Sequence, residues 1–289
     1  MALKIPTHAE MASANAGSVP DQSAGTGRES GLVTSVRSHN LKPTFSLSGT
    51  GKAKYVPRLV MDLSGEQKTG KNHFGFTAPG PIYEHSFDIG NEGVIEKFMN
   101  QKKIYVAEYE LEIQPGDASD REVAEAADKV WQQFTTNFLD GLSSCGSGTT
   151  LVDTGSEMWE LLRIARFGRT SKIMPHNYGD LNKEMRLLVR ETLNHSGSTI
   201  FLSQMKPEWE NYVGSDGKEK GRKTGRLERV GWKGMPFLVQ LTASTNRVDK
   251  TDGGSEFTIT VDDCRRNPDM NGLTLANDFD TLMMMVYGE

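Results

Sequence analysis

Several features that define specialised classes of protein are missing from this 289-residue sequence. Only two cysteines occur, Cys145 and Cys264, which excludes a disulfide framework and favours two reduced thiols. The six histidines are dispersed, and no Cys/His group has the spacing of a zinc site. No apolar run approaches the roughly 18 residues of a membrane helix, and the N-terminus has no apolar stretch like that of a secretory signal. We therefore expect a cytoplasmic protein with no membrane partner.

A strong positive charge is also absent. Lys and Arg total 33 against 38 Asp and Glu, which gives a formal net charge of −5. This excludes a protein that coats nucleic acid through its overall charge, but it leaves local basic patches open. The hydrophobic fraction of 36% is close to the globular average, so the chain can bury a core.

The chain divides by composition near residue 55. Residues 1–54 are rich in Ala, Ser, Gly and Thr, which predicts a disordered N-terminal arm, although 31–36 would also suit a strand against a neighbour. Residues 55–289 alternate strand-like and helix-like segments. This alternation predicts one α/β domain with a mainly parallel sheet flanked by helices.

The predicted elements follow from apolar periodicity. We expect strands at 56–63, 81–88, 104–113, 149–153, 198–203, 237–241 and 257–261. We expect helices at 93–103, from a cap at Ser119 or Asp120 to 142, around 158–164, at 181–195 and at 279–286. Residues 205–236 have neither period and are predicted to be a mobile loop.

A phosphate-binding motif follows the first of these strands. The residues after Leu63 have the G-x-x-x-x-G-K spacing of a P-loop, whose glycines let backbone N–H groups surround phosphate. The helix start after it would add its dipole, and Lys71 would reach the β- and γ-phosphates of ATP. The predicted ATP-binding residues are Gly65, Glu66, Gln67, Lys68, Thr69, Gly70, Lys71, Asn72 and His73.

The residue after the lysine departs from the motif. A P-loop has Ser or Thr there to bind Mg²⁺, whereas this chain has Asn72. An amide oxygen is a tolerable ligand for a hard cation, and the Thr69 hydroxyl is nearby, but neither is an equivalent replacement. Asp153, at the end of an apolar strand, is the predicted second metal-binding residue. The alternative is that Asp153 only caps the following helix.

Three further side chains are candidates for the chemistry of hydrolysis. Asp88 and Glu92 follow a predicted strand, and either could orient the attacking water or be a loop carboxylate without a role. Gln204 lies where another buried strand ends, and a buried amide must find a partner. A γ-phosphate would be such a partner; the alternative is a satisfied surface glutamine.

Together these motifs resemble the RecA-type recombinase core. The run from Gly70 through 78–81 to Asp88 and 92–94 is similar to phage-encoded RecA-like ATP-binding proteins, often described as AAA-family ATPases. The resemblance covers about residues 56–286. It implies Mg²⁺-dependent ATP hydrolysis, DNA binding and self-assembly into a ring or filament. It also implies that Gln204 senses the γ-phosphate and that Arg265 or Arg266 completes a neighbour's site, although an ordinary surface ion pair is the alternative for these arginines.

The segment 205–236 is the candidate DNA-binding region. Basic residues between glycines, with Trp209, Tyr212 and Trp232 around them, suit a grip on single-stranded DNA, because cations neutralise phosphates while aromatic faces stack on bases. The alternative is a hairpin or a solvated insertion. A second basic segment, 166–180, favours an ordinary linker. The predicted DNA-binding residues are Lys218, Lys220, Arg222, Lys223, Arg226, Arg229 and Lys233.

The leading interpretation is a RecA-like P-loop ATPase that binds single-stranded DNA in phage-type recombination, annealing or replication, in the cytoplasm of a host cell. One alternative is a replicative helicase or helicase loader of the same fold. Another is a catalytically weak, P-loop-derived DNA-binding or scaffolding protein, for which Asn72 is the best argument. The arm has two candidate partners, a neighbouring copy or a separate single-strand-binding protein.

Overall fold

The structure is a computed structural model that describes residues 45–47, 53–55, 57–88, 93–111, 118–170, 173–213, 215 and 217–288. All of these belong to the compact unit Lys42–Glu289. The predicted arm 1–54 lies mostly outside the described residues, as does the strand candidate 31–36. Two of its short segments are described, β1 (Phe45–Leu47) and β2 (Ala53–Tyr55), and they pair antiparallel.

A nine-stranded sheet forms the centre of the described chain. Its strands are β3 (Val60–Gly65), β4 (Ile82–Ser86), β5 (Ile104–Glu108), β6 (Thr149–Asp153), β7 (Ser198–Val213), β8 (Glu219–Arg229), β9 (Leu241–Asp249), β10 (Ser255–Cys264) and β11 (Thr274–Ala276). The order is β11-β10-β9-β3-β7-β6-β4-β5, with β8 paired to β7 alone. Pairing is parallel from β9 to β5 and antiparallel at β10, β11 and β8.

Helices cover both faces of this sheet. They are α1 (Lys71–Thr77), α2 (Asp120–Ser144), α3 (Gly155–Phe167), α4 (Tyr178–Thr192) and α5 (Phe279–Tyr287). Apolar side chains of α1 and α5 share one buried cluster with the sheet, and those of α2, α3 and α4 share the other. The predicted α/β class, with a mainly parallel sheet flanked by helices, is confirmed.

The ends of the helices show why these segments fold as they do. Ser119 and Glu122 form a capping box at the start of α2, as the sequence predicts. Lys102 donates to the carbonyls of Phe76 and Ala78 and so satisfies the end of α1. Arg58 does the same for α4, donating to the carbonyls of residues 192 and 193.

Two predicted elements differ from the structure. Residues 93–103 contain only a short 3-10 turn, Ile95–Lys97, because the chain turns back to bring Lys102 to the end of α1. The strand expected at 237–241 begins only at Leu241. Pro236 lacks a backbone N–H, and the Phe237 carbonyl accepts from Arg265, so this part forms a 3-10 turn instead.

The segment 205–236 contains a β-hairpin, where the sequence suggested a loop without strand period. Strand β7 continues past the sheet edge to Val213 and pairs with β8. Alternation of apolar and polar residues is missing because opposite charges hold the two strands together. Arg222 lies opposite Glu210 and binds it at 2.5 Å, and Lys206 lies opposite Glu228 at 3.4 Å. The mobility of this segment stays a prediction.

A buried ion pair attaches this hairpin to the central strand β3. Arg229, at the end of β8, lies 3.2 Å from Asp62, which also accepts a hydrogen bond of 2.6 Å from the Ser203 hydroxyl. Arg229 additionally donates to the carbonyl of Trp232. Burial raises the pKa of Asp62, although Arg229 and Ser203 act in the opposite direction. The hairpin base is therefore fixed to the strand that leads into the glycine motif.

We predict that Arg229→Met lowers the free energy of unfolding by about 3 kcal/mol, because it leaves the Asp62 carboxylate buried without its cation. Urea unfolding measures the change. The double variant Asp62→Asn/Arg229→Met should recover part of the loss. Arg226→Met, which breaks an exposed ion pair to Glu208, is the control and should have little effect. Equal losses for Arg226→Met and Arg229→Met would contradict the anchoring role.

Candidate nucleotide site

The carboxyl ends of four parallel strands meet at one edge of the sheet. Gly65 at the end of β3 lies opposite Gln204 of β7, and Ser86 at the end of β4 lies opposite Asp153 of β6. Ligands of open α/β sheets bind at this edge. Lys71, Asp88, Asp153 and Gln204 were all predicted as site residues, and the fold brings their backbone positions to this edge.

Residues 65–72, the glycine turn, connect β3 to α1. Gly70 has a φ of +92° and Lys68 a φ of +60°, which lets the chain curl before the helix begins at Lys71. The Lys71 ammonium is buried and donates to the carbonyls of Gly65, at 2.9 Å, and Glu66, at 2.6 Å. The turn therefore has the shape that its motif predicts, with the lysine folded into it.

The charge of Lys71 is set by burial and by three carboxylates. Burial lowers its pKa, whereas Asp153, Asp88 and Glu66 raise it, in that order of size. A buried cation gains from any further negative charge beside it. The site is thus favourable for an anion.

Asn72 joins the glycine turn to the end of β6. Its side-chain Nδ2 donates to Asp153 Oδ2 at 2.7 Å, across 81 residues of sequence. The Thr69 hydroxyl is directed elsewhere, to the Glu66 carbonyl at 2.8 Å and to the Thr245 hydroxyl at 2.6 Å. Of the two replacements considered for the missing Ser or Thr, Asn72 is the one in contact with Asp153.

The structure also decides the alternative role of Asp153. The N-cap of α3 is Thr154, whose hydroxyl accepts from the Glu157 backbone N–H at 3.2 Å. Asp153 is therefore not the cap of this helix. Among the described residues there is no group of three or more His, Cys, Asp or Glu side chains arranged to hold a metal ion. Asn72 and Asp153 would supply at most two protein oxygens.

Asp88 is exposed, and the electrostatic influence on Lys71 places its carboxylate near the site. Glu92, the other predicted base, lies outside the described residues. Two carboxylates here were missed from the sequence. Glu157, in the first turn of α3, has a pKa raised by burial, then by Glu160 and Asp88. The apolar pattern of β4 could have flagged Glu84, since a charged residue within a buried strand is unusual.

Glu84 is buried on the same face of the sheet as Asp153. It lies opposite Leu151, two positions before the Ser86–Asp153 pair, so the alternation of strands directs both carboxyl groups to the α1 side. Burial, followed by the charges of Asp153 and Glu108, raises its pKa to about 8. Glu84 is therefore mainly protonated at neutral pH.

Gln204 is held in place at the end of the sheet-bound part of β7. Its backbone N–H donates to the Ser156 hydroxyl at 2.9 Å, and its side chain hydrogen-bonds to the Glu157 carboxylate. The half-buried amide thus has a partner within the chain. Because Glu157 and Asp88 influence each other, Gln204 lies within the same polar cluster.

Arg265 and Arg266 lie at the opposite edge of the sheet. Strand β10 runs antiparallel to β9, so its end at Cys264 pairs with Leu241, where β9 begins. Arg265 donates to the carbonyls of residues 236 and 237, and the Arg266 guanidinium lies 4.2 Å from the centre of the Tyr287 ring. Neither arginine is near Lys71 of its own chain.

The predicted DNA-binding residues divide into two groups in the structure. Arg229 is buried against Asp62, whereas the others lie on or beside the exposed hairpin. Arg222 and Arg226 form ion pairs with glutamates of β7. The exposed members are Lys218, Lys220, Arg222, Lys223, Arg226 and Lys233.

The three aromatic residues of this segment also differ in position. Trp209 is 60% exposed and Tyr212 is 40% exposed, and each ring has a cation about 5 Å above it, Lys223 at 5.5 Å and Arg222 at 5.3 Å. Trp232 was expected to be available to bases, which is wrong. It is buried, and its indole N–H donates to Asn182 of α4 at 2.8 Å.

The second basic segment, 166–180, is used within the fold. Arg166 forms ion pairs with Asp128 at 2.5 Å and Glu184 at 2.9 Å, which connect α3 to α2 and α4. Arg169 donates to the Ala118 carbonyl, and Lys172 lies outside the described residues. This segment is a linker packed by its own arginines.

Comparisons with known proteins give little further guidance. No protein-family model matches the sequence, and no curated protein matches it. Among solved structures, the chain is similar to one described as a prototypical ATPase from the type III secretion system of pathogenic bacteria. The identity is 10% and the TM-score 0.37, over 67% of this chain and 53% of that one, so the chain spans about half of its length. At that score the likeness carries no argument about function. Within the described residues, no helix is long and apolar enough to cross a membrane.

We predict that Glu84→Gln makes the protein more stable at high pH. The folded-state pKa of about 8 lies above the ordinary value of 4.5, so the unfolded chain loses its proton first. Stability of the wild type therefore falls as pH rises from about 4.5 to about 8. At roughly 1.4 kcal/mol per pKa unit, the variant should gain about 3 to 5 kcal/mol over the wild type at pH 9 relative to pH 4.5.

Urea unfolding between pH 4.5 and 9 measures this difference. The control is Glu256→Gln on β10, where the carboxylate is exposed and lies 3.1 Å from Lys250. Its stability should follow the wild-type curve closely. Parallel curves for Glu84→Gln and wild type across this range would show that Glu84 is ionised in the folded protein.

Proposed function

We propose that this protein binds ATP and Mg²⁺ at the glycine turn, hydrolyses ATP, and grips single-stranded DNA with the β7–β8 hairpin. The observation that carries the proposal is the hydrogen bond from Asn72 to Asp153. It connects the residue after the motif lysine to the acid at the end of a neighbouring parallel strand. A P-loop ATPase needs this pair side by side.

Lys71 supports the phosphate-binding role. Its buried ammonium donates to two carbonyls of the turn, and a triphosphate would offer it charged oxygens in their place. The curled backbone around Gly70 provides N–H groups for the same oxygens. His73, in the exposed part of α1, would lie beside the nucleotide.

Asn72 and Asp153 fit a hard cation, because both carry oxygen donors and they are already in contact. Mg²⁺ at nucleotide sites needs only one or two protein oxygens, since phosphates and waters supply the others. To bind the ion, the Asn72 amide would present its oxygen in place of its nitrogen. The ion would neutralise charge that develops on the phosphates during hydrolysis.

Hydrolysis also needs a carboxylate that orients water. Asp88 or Glu92 takes this role in our proposal, with Gln204 responding to the γ-phosphate and passing the change into the hairpin that follows it. Arg265 or Arg266 would act at the nucleotide of a neighbouring copy, in a ring or filament. Their position at the opposite edge of the sheet is compatible only with that role in trans.

The hairpin has the chemistry of a single-strand grip. Exposed Trp209 and Tyr212 offer ring faces to bases, and the lysines and arginines around them offer cations to phosphates. Arg222 and Arg226 would exchange their glutamate partners for DNA phosphates. The setting in phage-type recombination, annealing or replication rests on the sequence resemblance.

One observation favours a second candidate, a catalytically weak scaffold. Asn72 has no hydroxyl, and its amide currently occupies Asp153. Such a protein would bind nucleotide and DNA without turnover. Measuring Mg²⁺-dependent ATP turnover with and without single-stranded DNA separates the two, and a forked-duplex assay tests a helicase.

We predict that Lys71→Ala weakens ATP binding by about 100-fold, because it removes two charge-assisted contacts to phosphate. Fluorescence titration with a labelled ATP analogue gives the dissociation constant, and phosphate release gives turnover. Lys103→Ala, an exposed lysine beside β5, is the control and should behave as wild type. Unchanged binding and turnover in Lys71→Ala would remove the basis of the proposal.

For the hairpin, we predict that Lys220→Ala/Lys223→Ala weakens binding of oligo-dT by about tenfold. It should also reduce the slope of log affinity against log salt by about 1.4, since each lost phosphate contact contributes roughly 0.7 on a single strand. The control is Lys129→Ala/Lys183→Ala, which removes the same charge from α2 and α4. Equal effects of the two double variants would point to overall charge, with no specific role for the hairpin.

A further inference from the structure

The glycine turn is contacted from outside by two side chains that are distant in sequence. Thr245 of β9 lies at Gly65, where the turn begins, and Asn277, between β11 and α5, lies at Gly70, where it ends. The Thr245 and Thr69 hydroxyls are 2.6 Å apart, and Asn277 Nδ2 donates to the Gly70 carbonyl at 3.0 Å. Neither residue belongs to the motif.

These contacts explain why the motif needs glycine at both ends. A Cβ at Gly65 would lie 2.0 Å from the Thr245 hydroxyl, and a Cβ at Gly70 would lie 2.6 Å from the Asn277 amide nitrogen. Both distances are far shorter than real contacts allow. The two glycines therefore make room for the two side chains, in addition to letting the backbone curl.

Thr245 is built into the sheet. It is 4% exposed, and its hydroxyl also donates to the Ser64 carbonyl of β3 at 3.3 Å. Thr69, which it contacts, lies between Lys68 and Gly70, the two residues with positive φ. Fixing Thr69 therefore fixes the most curved part of the turn.

Asn277 makes its contact at a cost. Its Oδ1 is buried and has no hydrogen-bond partner among the described residues. An unsatisfied buried amide oxygen destabilises a fold, so packing alone does not account for asparagine here. The donated bond to Gly70 does account for it.

We infer that Thr245 and Asn277 are positioning residues that hold the glycine turn in its phosphate-binding shape. This inference rests on the proposed function, but the shape of the turn can be measured without nucleotide. A turn that samples several shapes binds its ligand more weakly, in proportion to the fraction in the competent shape. The two residues keep that fraction high.

The test compares Thr245→Val, Thr245→Ser and Asn277→Ala with two matched controls. Thr274→Val removes a hydroxyl from another threonine pair, Thr260–Thr274 at 3.1 Å. Asn267→Ala removes an amide that donates to a different carbonyl, that of Met285, at 3.1 Å. Hydrogen exchange of peptides covering residues 65–73 is measured without nucleotide, and the dissociation constant of ATP is measured with Mg²⁺.

We expect Thr245→Val and Asn277→Ala to raise exchange in this peptide alone and to weaken ATP binding by about 5- to 20-fold, the worth of one or two hydrogen bonds. Thr245→Ser keeps the hydroxyl and should restore both values. Exchange that matches the controls, or that rises throughout the protein, overturns the inference. Wild-type protein that fails to bind ATP, with the exchange pattern as expected, overturns the proposed function and leaves the positioning role intact.

Discussion

The parallel register of β3, β7, β6 and β4 is the constraint on which the candidate site depends. Because these strands pair in parallel and in step, their carboxyl ends stop at the same edge, and residues from four distant parts of the chain meet there. Lys71, Asn72 and Asp153 are brought together by backbone pairing before any side chain contributes. Apolar burial on both faces fixes this register, since a slip of one residue would turn every buried side chain outward.

The same sheet tolerates charged groups only where they are paired or neutral. Asp62 lies opposite the Arg229 guanidinium, and Glu84 holds a proton because burial raises its pKa to about 8. Lys71 is surrounded by carbonyls and carboxylates. Each of these groups costs free energy that an apolar residue would not, which is more readily explained by function than by stability.

The sequence predicts the elements that are periodic and locally capped. Helix α2 starts at Ser119 as expected, and β6 has the predicted bounds, because apolar spacing and the capping box are local signals. The hairpin could not be predicted from apolar alternation, since charge pairs such as Glu210–Arg222 hold it. Thr245 and Asn277 lie 176 and 207 residues from their partners in the turn, so no local pattern indicates them.

The glycine turn and the hairpin share their supports, which connects the two halves of the proposed function. Strand β3 leads into the turn and carries Asp62, which anchors the hairpin base through Arg229. Ser156, three residues after Asp153, accepts from the Gln204 N–H and donates to the Val230 carbonyl, one contact on each side of that base. The start of α3 thus fixes both the acid beside Asn72 and the direction of the hairpin. A ligand that shifts Asp153 would have to displace these contacts or carry the hairpin with it.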